Sequence, residues 1–180
     1  GLILVGMQVF GRNVREKTTR QTLENARAMM RAPQIDMRIA HTWAAGSTAV
    51  SAANRDLKDT GAGRYGDLVT TTNAVMTLIR SLPDNKASME KLPTNQFLAA
   101  TGTWPGGTTP SYVMLDGWNN PIIFVAGGGL TGVSIGRKSD GTYNLTNQTI
   151  KSPDGKPFFA SAGPDGDLMT GDDNLYSFEN

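Results

Sequence analysis

LILVGMQVFGRNVREKTTRQTLENARAMMR, residues 2–31, is the stretch on which the reading of the fold turns. The opening run, residues 1–10, is apolar apart from Gln8. A membrane span needs about 20 such residues, so this is half of one. A secretory signal carries a basic stretch ahead of the apolar run and a small-residue cleavage site behind it, and neither is visible. The run reads instead as the later part of a hydrophobic helix whose front is missing. Past Phe10 the stretch turns polar without losing its period: Met7, Phe10, Val14, Thr18 and Thr22 recur at helical spacing, and Leu23, Ala26 and Met30 make a second stripe. Arg12, Arg15, Arg20, Arg27 and Arg31 fill the remaining positions with Glu16 and Glu24 between them. Glu16 and Arg20 stand one helical turn apart and support the helix. Pro33 ends it, because the residue before a proline disfavours helix. One long helix is expected over residues 2–31, apolar first and amphipathic afterwards.

Working outward, residues 32–111 form a middle region. Residues 41–54 are rich in Ala, Ser, Thr and Gly and read equally as loop or loosely packed helix. Leu68, Thr72, Val75, Met76, Ile79 and Leu82 repeat at helical spacing over residues 67–82, with Pro83 closing the run, so a second helix is expected with this face on the core. TGTWPGGTTPS, residues 101–111, is a loop. Beyond it the period changes. Residues 112–115, 121–126, 133–136, 142–145, 157–162 and 175–178 are short runs rich in β-branched and aromatic residues. Tight-turn signals separate them, among them Asp140-Gly141 and Asp154-Gly155. The expected fold class is α+β: one domain in which a long N-terminal helical stem packs on a small antiparallel sheet of roughly four strands, meander-like, over residues 112–180.

Composition removes several functions. The chain has 180 residues, enough for one domain with a real core. Its formal charge is +1, so no global field holds nucleic acid, and the basic residues of the first helix are interleaved with acidic ones. Cysteine is absent, which excludes disulfides, thiolate metal sites and a Cys nucleophile. His41 is the one histidine and has no nucleophile motif beside it, so it reads as a structural or solvated group.

Three sets of residues resemble the pseudopilins of bacterial type II secretion. Asp116-Gly117-Trp118-Asn119-Asn120-Pro121 is similar to the D-x-W-G-N-P signature that opens the family's sheet. Ser161-Ala162-Gly163-Pro164-Asp165-Gly166, followed by Gly171-Asp172-Asp173-Asn174, is similar to its S-A-G-P-D-G … D-D-D loop. Gly63-Arg64-Tyr65 resembles the G-R-Y-P element after the first helix, with Gly66 in place of the proline. The half-span at residues 1–10 is what remains of a pilin-type stem once its front is removed. The likeness covers residues 2–31 and 112–178. Asn119 stands where the family has Gly, and Asn tolerates left-handed backbone better than most residues. Residues 32–111 are longer than in the common major pseudopilin. The resemblance implies a precursor cut by a prepilin peptidase and held in the inner membrane by its helix, its globular part periplasmic. It would be a filament subunit that stacks on other pseudopilins and works with the inner-membrane secretion machinery. A minor, tip-associated pseudopilin and a type IV pilin are the alternatives within the superfamily.

Asp165, Asp167, Asp172 and Asp173 crowd four carboxylates into nine residues, a repulsion that a hard cation relieves. An EF-hand does not fit, because Met169 and Tyr176 fall at ligand positions. The bland reading of the same residues is a solvated turn. The resemblance implies a calcium site in which Asp165, Asp172 and Asp173 give carboxylates and backbone carbonyls come from near Ala162 and Asp167. Two functions of other classes compete. A calcium-binding adhesion or carbohydrate-recognition module could use Trp104, Trp118 and Tyr112, yet needs no hydrophobic stem. A hydrolase could pair Asp116 with Asp165, but nothing sets their separation. The expectation is a structural protein and not an enzyme.

Overall fold

Leu2–Met30 forms helix α1 in a computed structural model that describes residues 2–33, 35, 50–51, 66–98 and 111–179. Val50–Ser51 is strand β1, Gly66–Arg80 helix α2 and Pro83–Glu90 helix α3. After the 3-10 turn Thr94–Gln96 come β2 (Ile123–Val125), β3 (Leu130–Arg137), β4 (Tyr143–Ile150), β5 (Phe158–Ser161) and β6 (Leu175–Tyr176). The class is α+β, as the periodicities require. Among the described residues no helix is long and apolar enough to cross a membrane.

The sheet differs from the expected meander. Among the described residues there are two three-stranded sheets, ordered β1-β3-β4 and β2-β5-β6, and β1 lies parallel to β3. The physical reason is burial. IFV of β2 and FFAS of β5 are buried throughout, so they need cover on both faces and pair with each other across the intervening hairpin. YNLTNQTI of β4 is largely exposed and stays at an edge beside β3. Side chains of the inner sheet alternate as a pleat demands. Phe124, Phe159 and Leu175 enter one core cluster with Leu23, Met29, Val75 and Ile79 of the helices. Ile123, Val125, Phe158, Ala160 and Tyr176 enter the other, with Val133 of β3 and Leu168 of the loop between β5 and β6. The inner sheet therefore separates two core clusters, one shared with all three helices and the other with the outer sheet, the acidic loop and Leu68 and Val69 at the start of α2.

Three further expectations shift. Residues 112–115 make only isolated bridges, Met114 to Phe97 and Leu115 to Pro121. The 41–54 stretch, read as loop or helix, contributes strand β1; of it only Val50 and Ser51 lie among the described residues. The long helix does end ahead of Pro33, at Met30, although Pro33 and Ile35 are again helical after the break at residues 31–32. Pro83 ends α2 and at once opens α3, because a first-turn proline lacks only an N–H that would have had no partner. His41, Trp104 and Gly63-Arg64-Tyr65 lie outside the described residues.

The stem is docked over half its length. Thr19, Thr22, Leu23, Ala26 and Met29 are buried. Before them Arg12, Asn13, Val14, Arg15, Lys17 and Thr18 are exposed, so Val14 and Thr18 of the first sequence stripe do not reach the sheet, whereas its Thr22 does lie in the buried part. Glu16 and Arg20 form the anticipated pair at 3.0 Å. Two threonines join helix to sheet by one device. Thr19 Oγ1 donates to Arg15 O (2.9 Å) and accepts from Gly117 N (2.9 Å). Thr72 Oγ1 donates to Leu68 O (2.7 Å) and accepts from Phe124 N (2.9 Å). Asn85 ties the helix ends together, its Nδ2 donating to Met29 O (3.1 Å) and Ile79 O (3.0 Å). These carbonyls end their helices and would otherwise be orphaned.

Gly117 lies so close to α1 that a β-carbon there would collide with the Arg15 carbonyl. Gly117→Ala should lower unfolding stability by about 1–3 kcal/mol through overpacking. Gly11→Ala, with nothing within 4 Å of the added carbon, should raise it by up to about 1 kcal/mol. Urea unfolding of the two variants checks both signs.

Candidate functional site: the acidic loop and its clasp on the stem

The Asp116 turn is built as a buried knot. Asp116 is 4% exposed. Its Oδ1 accepts from Trp118 N and Asn120 N, each at 2.8 Å, and its Oδ2 from Ser161 Oγ at 2.7 Å. Asn119 sits at φ 66, the left-handed conformation that Asn bears at modest cost. Asn120 Nδ2 reaches Gly163 O at 2.7 Å, so the turn also holds the start of the acidic loop. Burial pushes the Asp116 carboxyl above its ordinary 3.8, with the bond from Ser161 opposing most, then those from Asn120 and Trp118. The folded state thus binds this proton more tightly than the unfolded chain.

Gly163, at φ 65, crosses the Asp173 backbone where a β-carbon would strike the Asp173 carbonyl. The four aspartates then go separate ways. Asp165 Oδ1 accepts from Asp167 N at 3.0 Å and its Oδ2 from Thr170 Oγ1. Asp167 Oδ1 accepts from Met169 N at 2.9 Å. Asp172 grips β3, its two oxygens accepting from Gly136 N and Arg137 N at 2.7 Å each. Asp173 pairs with Arg12 of the stem at 3.3 Å. Backbone bonds Ser134 N to Met169 O and Gly171 N to Ser134 O, both 2.7 Å, seat the loop on the outer sheet. The loop thereby ties the two sheets and the stem together.

Among the described residues no three carboxylate or imidazole groups converge as a metal would require. The donor set is nonetheless all hard oxygen, the kind calcium takes. One oxygen of the loop also lacks a partner: Asn174 Oδ1 is buried without a donor, while its Nδ2 donates to Leu168 O (3.0 Å) and Tyr176 Oη (3.1 Å). Ala162, the carbonyl source named by resemblance, is fully buried where β5 meets the loop.

The other candidates separate. Trp118 and Tyr112 are half-buried and pack against the helix-side core, and Arg80 lies over the Tyr112 ring at 4.8 Å. Asp116 and Asp165 are each committed to their own turns. Sequence reasoning put Thr72 on the core face without seeing its bond to the sheet, and missed Thr19 and Asn85. The signal available for Thr72 was its place on the expected core face, where a hydroxyl needs a partner. No protein-family model, no curated protein and no solved structure matches this chain.

Two outcomes follow from these bonds. In chelator, Asp172→Ala should cost about 1 kcal/mol through the two freed strand N–H groups, whereas Asp173→Ala should stay within about 0.5 kcal/mol, its ion pair being exposed. Because the Asp116 pKa is raised in the fold, its share of stability is greatest below pH 3.8 and falls as pH climbs through the folded value. Asp116→Asn should remove that fall, seen by comparing urea midpoints of the two proteins across the acidic range.

Proposed function

We propose that this chain is a structural subunit of a bacterial type II secretion pseudopilus, a non-enzymatic filament protein built as a pilin-like head on a helical stem. The observation that carries the reading is the division of α1: residues 19–30 are docked on the inner sheet while residues 11–18 are mostly exposed ahead of it. The loop touches this part of the helix at Arg12 and the turn at the Arg15 backbone, and its remaining, solvent-facing side is a surface left over for other copies. Val14, a large apolar residue 48% exposed, stands on that surface. Head-to-tail contacts that do not close give filaments. The motif behind the family resemblance supports the same reading, because Gly117 of that motif is the point where the sheet meets the stem.

In this reading the apolar start of α1 belongs to a membrane-held stem, the head faces the periplasm, and the precursor is a substrate of a prepilin peptidase. Partners are further pseudopilin subunits along the stem and the inner-membrane secretion machinery. Calcium is the implied cofactor, held by Asp165, Asp172 and Asp173 with backbone carbonyls at Ala162 and Asp167. Bound there, it would neutralise the crowded carboxylates and fasten the loop.

Carried on a complete pilin-type stem, the chain should enter filaments sheared from secreting cells. Val14→Asp should block that entry while leaving the melting temperature of the isolated head unchanged, since exposed substitutions stay within about 0.5 kcal/mol. Entry undiminished by Val14→Asp, or no filament from the unaltered chain, would sink the reading. Millimolar calcium against chelator should raise the melting midpoint by several degrees if bound near a hundred times its dissociation constant, which is about 2.7 kcal/mol. Equal midpoints would remove the cation and leave the filament reading standing on the stem.

A further inference from the structure

β4 is the outermost strand of its sheet, and among the described residues no strand lies along its other edge. Such an edge presents unpaired N–H and C=O groups and is a template for another strand, and proteins blunt it with charged residues, proline or a bulge. From Thr142 to Ile150 there is neither a charged residue nor a proline. A bulge is present, but only in the later half. Between Leu145 and Gln148 two residues of β4 stand against Ser134 alone, and Asn147 there takes φ 55. Gln148 Nε2 also donates to Thr146 O at 2.8 Å. The straight, open part of the edge is therefore residues 142–146.

The side chains of that part are apolar on the face that matters. Leu145 is 51% exposed, and with Val14 it is one of two large apolar side chains that the described residues leave open to solvent. Residues directly opposite in an antiparallel pair share a face, so Leu145 lies on the face of Ile135. Ile135 packs against the core cluster that holds Leu130 and Val133. Tyr143, two residues before Leu145, lies on that face as well. The apolar face of this sheet thus runs outward from the core through Ile135 to Leu145 and stops at an uncovered margin. Asn144 and Thr146, on the other face, are exposed.

We infer that this edge is a docking surface for the β4 strand of a second copy of the chain, paired antiparallel across a two-fold axis at Asn144. In that register Tyr143 of each copy faces Leu145 of the other, and such cross-strand apolar pairs stabilise sheets. Asn144 meets its own counterpart, and no charge meets a like charge along the pairing. The first charged residues beyond the strand, Asp140 before it and Lys151 after it, are opposite in sign, so antiparallel strands set unlike ends side by side. A second β4 is the occupant that matches the edge: neutral, open along the same residues, and apolar on the same face. A two-fold contact closes on itself. It is therefore separate from the head-to-tail contact at Val14 and stands whether or not the filament reading does.

The chain has no cysteine, so one introduced thiol reports the pairing without competition. In Asn144→Cys the two thiols face each other across the axis, with β-carbons about 4.5–5.5 Å apart, a gap that a disulfide closes with a small shift. Mild oxidation of the full chain should then yield covalent dimer roughly tenfold faster or more than in Lys91→Cys, an exposed position just past α3, because paired strands raise the local thiol concentration. Sedimentation equilibrium of the unaltered chain should show a dimer. Asn144→Lys should raise its dissociation constant roughly tenfold or more, since like charges then stand opposite each other at the axis. Association through the stem is common to all these proteins, so the differences between them read β4 alone. Equal rates of cross-linking at residues 144 and 91, or a dissociation constant unchanged in Asn144→Lys, overturn the assignment, as does an unaltered chain that stays monomeric.

Discussion

The hydroxyl of Thr19 is the hinge of the whole arrangement. It closes on the Arg15 carbonyl one turn back and at the same time receives the Gly117 N–H from the sheet side. A serine or threonine in a helix often bends back in this way at slight cost to the helix. Here the lone pair left over is what the head uses to hold the stem. Because the approach is so close, position 117 must lack a β-carbon. The buried Asp116 knot fixes the turn that carries Gly117. Thr72 repeats the device on α2, where it receives Phe124 N of β2. Two helices are thus fastened to one central sheet by hydroxyls, with the apolar clusters supplying the bulk of the driving force.

From that fastening the rest follows in layers. One core cluster of the inner sheet is shared with α1 and α2, and the other with β3, the acidic loop and the first turn of α2. The loop is therefore structural before it is anything else. Asp172 holds β3, Asp173 reaches the stem, and Asn120 holds Gly163 from the Asp116 knot. A cation bound to this loop would act on three elements at once, which is why its effect is expected in global stability rather than in a local movement.

Much of this was legible in the sequence because it depends on periodicity. The two long helices, the α+β class and the DG turns at residues 140–141 and 154–155 came from spacing and turn chemistry, and Gly141 and Gly155 do take positive φ. Leu68, Val75, Met76 and Ile79 are buried as their stripe required. What was not legible depends on contacts between distant segments. Spacing gives strands but not partners, so the pairing of β2 with β5 around an intervening hairpin could not be read. Short apolar residues such as Val14 fit a helical stripe whether or not anything covers them. For the acidic loop, composition identified the crowded carboxylates but not their directions, since these are set by N–H groups of β3 and by Arg12, 161 residues away from Asp173.

The central claim is that α1 is a stem held by only half its length, and amide hydrogen exchange along that helix tests it most directly. An undocked helical segment of one or two turns is marginal in water, whereas one packed on a sheet exchanges only through larger openings. The account predicts strong protection of the amides over residues 19–30 and a sharp fall before Thr19, with residues 11–18 exchanging far faster. Uniform protection from residue 11 to residue 30 would contradict it, because the front of the helix would then be buried in the head and unavailable to a filament.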